Sequence, residues 1–474
     1  MEDGTISFNI WKSIGTDMIT SISYSTDNGE TWTTTPNQNN KSEHLSITIN
    51  VEGGDKILWK GTAQQMGYYD SDDYDDYVGS FFSSTAEFNV DGNVMSLLYD
   101  DNFIGEDELE YDYQFACLFH DYDGEISCMV VNAKDLSLPA TTLAEYCYAQ
   151  MFSGCTSLTT APELPATTLA NYCYDGMFSE CTSLVTVLEL PATTLAEGCY
   201  DGMFRGCTSL TTAFELPATT LAVSCYNSMF NGCTSLTTAP ELPATTLTGG
   251  CYSSMFSGCI SLVTAPVLPA TTLAESCYNS MFRGCASLTT APELPATTLV
   301  NSCYNSMFNG CTLLTTVPEL PATTSTIYCY GSMFKGCTSL TTAPELPATT
   351  LASNCYNSMF EGCTSLTTTP ELPATTLANY CYGSMFKGCT SLTTAPELPA
   401  TTLVNKCYSY MFSDCSNLNY IKAMFTTTPD STYTNYWVSG VAASGTFVKN
   451  SSASWNLTGY DGVPSGWTVQ TASE

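Results

Sequence analysis

The sequence predicts a β-rich solenoid of 26-residue repeats, made of short strands and short helical turns, with an N-terminal β-sandwich and a small C-terminal β cap. Three observations carry that expectation. A phrase running Leu-Pro-Ala-Thr-Thr-Leu, Cys-Tyr, Met-Phe, Gly-Cys, Leu begins at Leu138 and returns without insertion or deletion until the eleventh copy at Leu398. One 26-residue unit cannot bury a core alone, so the copies must stack. Short apolar and alternating runs precede the array, and after Leu418 the period stops. The chain therefore divides into 1–98 (sandwich), 99–137 (acidic linker and worn first repeat), 138–418 (array) and 419–474 (cap).

The segment from Ile6 to about Leu98 reads as β-structure. Its runs are Ile6–Trp11, Ile19–Tyr24, Leu45–Val51 and Lys56–Trp59, and Asp27-Asn28-Gly29-Glu30 and Asp91-Gly92 are hairpin signals between runs. The phrases Tyr24–Trp32, Gly54–Gly61 and Phe88–Leu98 resemble a module that precedes leucine-rich repeats in surface and phage proteins of gut anaerobes. Phe115-Ala-Cys-Leu-Phe119 and Cys128 look like a degenerate repeat, as terminal repeats of stacked arrays usually are.

Charge excludes one class of function. The chain carries a net charge of −34, so nothing offsets phosphate repulsion and nucleic acid is not an expected partner. The acid is concentrated early, with 26 Asp and Glu against five Lys between Met1 and Ser137. Asp70, Asp72, Asp73, Asp75 and Asp76 form the densest cluster and are the candidate calcium ligands, since hard cations want several carboxylates from one loop. The cluster lacks the full twelve-residue calcium-loop spacing, and a solvated acidic loop is the plainer reading of it. No other cofactor is expected. No apolar run is long enough for a membrane span. Met1-Glu2-Asp3-Gly4 lacks the features of a secretory leader, which predicts either a leader already removed or release without one.

Within the array, every copy keeps Cys-Tyr (Cys147-Tyr148 to Cys407-Tyr408), Met-Phe (Met151-Phe152 to Met411-Phe412), a second Cys (Cys155 to Cys415) and a Leu (Leu158 to Leu418). Stacking turns these into buried columns. The Gly before the second Cys becomes Glu180 and Asp414 in two copies, at a turn position that calls for positive φ. Met-Phe-x-Gly-Cys-x-x-Leu followed by Pro-Glu-Leu-Pro resembles the BspA-type leucine-rich repeat. The resemblance covers about 138–418 and implies a leucine-rich-repeat fold and a non-enzymatic, surface-exposed binding protein.

The 24 cysteines are expected to be buried thiols, because in-register neighbours point the same way; a Cys147–Cys155 bridge within a repeat is the alternative. His44 and His120 are the only histidines, so His-based metal sites and nucleophile–His pairs have almost nothing to be built from, and an enzyme is not expected. Trp437, Trp455 and Trp467 read as lids over the last repeat.

Variation points to where recognition could sit. The residue after Phe runs Ser153, Ser179, Arg205, Asn231, Ser257, Arg283, Asn309, Lys335, Glu361, Lys387, Ser413. Arg205, Asn231, Arg283, Asn309, Lys335, Glu361 and Lys387 are the candidate ligand-binding residues, on one edge of the array, although drift on a solvated face gives the same pattern. The expectation is a binding or adhesion protein, extracellular or at a cell surface, with a protein or glycan partner. The alternative is a structural phage virion component, a fibre or decoration protein, contacting other virion proteins.

Overall fold

The computed structural model describes residues 3–10, 19–35, 45–64, 66–70, 76–120, 128–185 and 189–472. It falls into two compact units, Met1–Leu236 and Thr237–Glu474.

In the first unit, β1 (Gly4–Ile10), β2 (Ile19–Ser25), β3 (Thr33–Thr34), β4 (Leu45–Val51), β5 (Leu58–Ala63), β6 (Gly67–Asp70), β7 (Asp76–Gly79), β8 (Phe81–Ser84) and β9 (Phe88–Asn93) precede the array. They form antiparallel sheets ordered β4-β1-β8 and β3-β2-β5, with β6-β7 as a hairpin. Aromatic side chains pack the two three-stranded sheets together: Phe8 and Trp59 lie 5.9 Å apart, and Trp59 meets Phe82 edge-on at 5.3 Å. Asn28 and Gly29, at φ of 56° and 88°, make the turn between β2 and β3. The second hairpin signal does not hold. Asp91-Gly92 lies inside β9, which pairs in parallel with β10 (Val130–Ser137) and ties this block to the start of the array.

The repeats contain short parallel bridges, as at Thr142–Thr168 and Thr194–Thr220, joined by consecutive turns. The expected helical turns are absent among the described residues of the array. Left-handed residues recur every fourth position, at Tyr146, Gln150 and Gly154 in the first copy, and that rhythm is incompatible with an α-helix. It produces a different accounting of backbone hydrogen bonds. Alternate N–H groups donate to the following coil: Tyr146 to Asn171 (3.1 Å), Tyr148 to Cys173 (3.0 Å), Gln150 to Asp175 (2.7 Å), Phe152 to Met177 (2.9 Å) and Gly154 to Ser179 (2.8 Å). The N–H groups between them close turns within the coil, as from Ala149 to Tyr146 (3.0 Å) and Cys155 to Phe152 (3.1 Å). From Tyr148 to Cys155 each backbone N–H has an acceptor, which is what a buried backbone requires.

Side chains follow the backbone into columns. Tyr148, Tyr174, Tyr200 and Tyr226 stack at 5.7–5.8 Å, and Phe152, Phe178 and Phe204 stack at 5.6 Å with no solvent exposure. The N-terminal degenerate copy joins them, with Phe115 over Tyr148 and Phe119 over Phe152. Its own carbonyls face the strand block, where Met66 N–H donates to Gln114 (2.9 Å) and Phe82 N–H to Leu118 (2.8 Å). Gly79 belongs to this seam, since a Cβ there would stand 2.6 Å from the Ala116 carbonyl oxygen.

The second unit repeats the pattern from Tyr252 to Tyr408, and its coils continue past the end of the sequence period. β11 (Tyr420–Ala423), β12 (Thr446–Lys449) and β13 (Thr468–Thr471) form a parallel sheet, and Tyr420 bridges to Thr394 of the last regular repeat. Tyr433–Val438 is a turn segment whose carbonyls accept from Tyr408, Tyr410 and Phe412. The free donors at this end are closed by Asp461, whose carboxylate accepts from Tyr436 N–H at 2.6 Å, and by the Tyr460 carbonyl, which accepts from Val438. Trp437, Trp455 and Trp467 are all buried over the final coils.

The cysteines depart from expectation once. Cys128 and Cys155 form a disulfide, while Cys147 and the remaining 21 are buried thiols outside any disulfide. Cys128 comes from the irregular cap immediately before β10, so it is not held in register with Cys155, and the objection to bridging column neighbours does not apply. Elsewhere in this column the thiols have a hydrogen-bonding role: Cys181, Cys207, Cys311 and Cys415 donate to the Phe carbonyl of the preceding coil at 2.9–3.1 Å.

Three expected outcomes follow from these contacts. Gly79→Ala pushes a methyl into backbone that cannot yield, and should lower stability by about 2 kcal/mol or more in urea unfolding. Glu180 holds φ of 59°, and Glu180→Gly should raise stability by about 1 kcal/mol in the same measurement. Asp201 is half-buried and its carboxyl is pushed up to about 6, chiefly by burial; the Asn227 side chain (2.9 Å) and Arg205 pull the other way. A carboxyl that binds protons better folded than unfolded makes the protein more stable as pH falls from about 6 to about 4. Asp201→Asn should gain about 2 kcal/mol at pH 7, with the gap to the parent closing by pH 4, read from urea midpoints.

Candidate recognition edge

The residue after each Phe occupies one position of the turn run. Its own N–H closes a turn, as from Ser153 to Gln150 (3.0 Å), and its carbonyl accepts from the preceding coil. Those acceptor bonds are short and uniform: Gly206 to Asn231, Gly310 to Lys335, Gly336 to Glu361 and Gly362 to Lys387 are each 2.7 Å. The backbone at this column is therefore fixed on both sides, and only the side chain is left to solvent. The glycine that follows keeps a positive φ and lets successive coils approach, with a Gly310 Cβ placed 3.6 Å from Gly284 Cα.

In the first unit Arg205 is exposed and Asn231 half-buried; in the second Arg283 is exposed and Asn309 half-buried. The structure brings three of the candidates into contact. Lys335 Nζ lies 3.0 Å and Lys387 Nζ 3.5 Å from the two carboxylate oxygens of Glu361. Burial works against the Glu361 charge, but Lys335, Ser358 and Lys387 outweigh it and hold the carboxyl below its ordinary value. Lys387 also sits 5.9 Å from the centre of the Tyr410 ring. The result is a charge-alternating strip with both lysines partly exposed.

An exposed tyrosine row continues in the second unit and was not singled out from the sequence. Tyr410, Tyr436 and Tyr460 stack at 5.7 Å and are 37%, 46% and 61% exposed. The signal was present, because Tyr436 and Gly440 fall 26 residues after Tyr410 and Asp414 and share their positive φ.

The acidic cluster is only partly visible. Asp70 and Asp76 are register partners at the loop end of the β6–β7 hairpin, and Asp72, Asp73 and Asp75 lie outside the described residues. No group of metal-ligating side chains occurs among the described residues. His120 serves the N-terminal cap, where its Nδ1 lies 2.9 Å from the Ser153 carbonyl oxygen; His44 lies outside the described residues. No helix is long and apolar enough to cross a membrane among the described residues.

Comparison with curated proteins gives no significant match. Among solved structures, the crystal structure of a TLR13–ssRNA13 complex is matched at 15% identity with a TM-score of 0.24, over 75% of this chain and 47% of that one. The chain thus spans less than half of that protein's length, and so low a structural score supports no conclusion. The family model for the BspA type leucine rich repeat region matches residues 130–263, 227–367 and 304–435. Together these matches cover well over half of the sequence, and the chain belongs to the BspA-type leucine-rich repeat family.

Proposed function

We propose that the protein is a non-enzymatic binding scaffold, acting outside a cell or on its surface, whose contact edge is the residue column after Phe. One observation carries this reading. The backbone of the column is locked by hydrogen bonds to neighbouring coils, while its side chains vary from Ser to Arg, Lys and Glu. A fixed backbone removes much of the ordering cost of binding, and free side chains set specificity. The column also concentrates cations on an acidic chain: Arg205, Arg283, Lys335 and Lys387 are four of the seven basic residues beyond Ser137. That favours a partner presenting carboxylates or hydroxyls, on a protein or a glycan.

Catalysis is poorly supported by the thiols. Burial pushes Cys311 up to about 12 and Cys251 to about 11, so neither is a nucleophile near neutral pH. The Cys128–Cys155 bridge is consistent with an oxidising compartment.

The test is a screen of the full chain on protein and glycan arrays, repeated with the Lys335→Glu, Lys387→Glu double variant. A hit should weaken at least about tenfold, equivalent to ~1.4 kcal/mol, in the double variant. If the hits persist unchanged there and in Arg205→Glu and Arg283→Glu as well, the edge is not the contact surface.

A further inference from the structure

The first unit holds a cleft of about 550 Å³, well away in sequence from the variable column. Three stretches supply most of its lining: the start of β5 with the turn before it, β9, and the chain from Val94 to Phe103. We propose that this cleft binds a neutral saccharide of one or two rings. The inference goes beyond the recognition edge and does not depend on it.

Size is the first consideration. Small-molecule sites generally run from about 300 to about 1,000 Å³, and this cleft lies inside that range. The lining is the second. Trp32, Trp59, Phe88 and Phe103 supply aromatic surface, and all four are only partly buried. Trp59 is braced by Phe8, Tyr24 and Phe82 at 5.3–5.9 Å, so its ring is held in place before any ligand arrives. Pyranose C–H faces pack on such rings.

Charge narrows the choice. Both lysines of the lining are neutralised: Lys56 Nζ lies 3.0 Å from Asp91, and Lys60 Nζ lies 2.8 Å from Asp100 and 2.6 Å from Asp101. Lys60 is also fixed 4.5 Å over the Trp32 ring. Asp55 adds a further carboxylate, so acids outnumber bases and an anionic ligand would be repelled. A wholly apolar ligand would strip water from these ion pairs without replacing its hydrogen bonds. Hydroxyl groups resolve both conditions, because a carboxylate in an ion pair still has lone pairs to accept them.

The backbone at Asp100 is held in an uncommon conformation for a residue with a side chain, φ 52° and ψ −129°. It turns the chain so that two consecutive carboxylates reach one ammonium group.

Isothermal titration calorimetry on the full chain tests the proposal, with maltose, cellobiose and lactose as probes and 3′-sialyllactose and choline as comparators. At least one neutral disaccharide should bind with a Kd of about 1 mM or tighter. Trp32→Ala and, separately, Asp101→Asn should weaken that binding by about tenfold or more, with unchanged circular dichroism, while Lys335→Glu should leave it intact. Absence of heat from all three disaccharides at ~20 mM would overturn the proposal. So would unaltered affinity in both folded cleft variants, or tighter binding of sialyllactose or choline than of any neutral sugar.

Discussion

The structure of the array depends on a hydrogen-bond ladder that runs one way. Within each unit a coil donates alternate N–H groups to the coil that follows and accepts through its carbonyls from the coil before, so it has a donor face and an acceptor face. Such a stack cannot end in water on either side without leaving a row of unsatisfied groups at the edge of a dry core. The two ends therefore need different chemistry. At the start, amides of Met66 and Phe82 meet the outward carbonyls of the degenerate copy. At the finish, a carboxylate from Asp461 meets the outward amide of Tyr436, and the Trp437 indole donates to the Gly462 carbonyl. An acidic group at the donor end is the arrangement favoured at a helix N-terminus, for the same electrostatic reason.

The ladder also explains the side chains that the sequence repeats. Left-handed backbone every fourth residue costs about 1 kcal/mol at each non-glycine position. Ser and Tyr occupy many of these positions, and the cost is offset because each left-handed residue directs its N–H into the next coil, as at Tyr146 and Gln150. The second Cys of the repeat fits the same scheme. Its thiol donates to a Phe carbonyl that already accepts one bond within its own coil, as Phe152 does from Cys155 N–H and from Cys181 Sγ. Alanine or valine would fill the volume without that contact.

Much of this was legible in the amino-acid order, because strict periodicity leaves stacking as the only way to bury Phe152, Phe178 and Phe204. The positive φ of Glu180 was legible for a similar reason, since it replaces a glycine in an otherwise uniform column. What failed did so where local and global signals separate. Asp91-Gly92 looks like a hairpin turn, yet a parallel partner 44 residues away in sequence, at Asp135-Leu136, absorbs it into β9. The coils beyond Leu418 were hidden because Trp437 replaces the smaller core residues of the regular copy and the strand spacing changes between β11, β12 and β13. The Lys335–Glu361–Lys387 contact was legible only as a column of types. Its pairing depends on which rotamers the neighbouring coil permits.

The division between fixed and free positions then bears on specificity. Inside the repeat, a change at Tyr or Phe is felt by two neighbours at once, because each ring stacks on the coil before and the coil after, and a change at the second Cys removes a bond to the coil before. At the edge, the backbone of Lys335 or Lys387 is held by its own N–H and carbonyl, so a new side chain there gives up the ion pair with Glu361 and leaves the backbone bonds in place. Stability and recognition are thus carried by different atoms of the same residue. A new side chain at the edge can alter the surface charge pattern without entering the core, and eleven equivalent positions allow an extended pattern to be assembled from single substitutions.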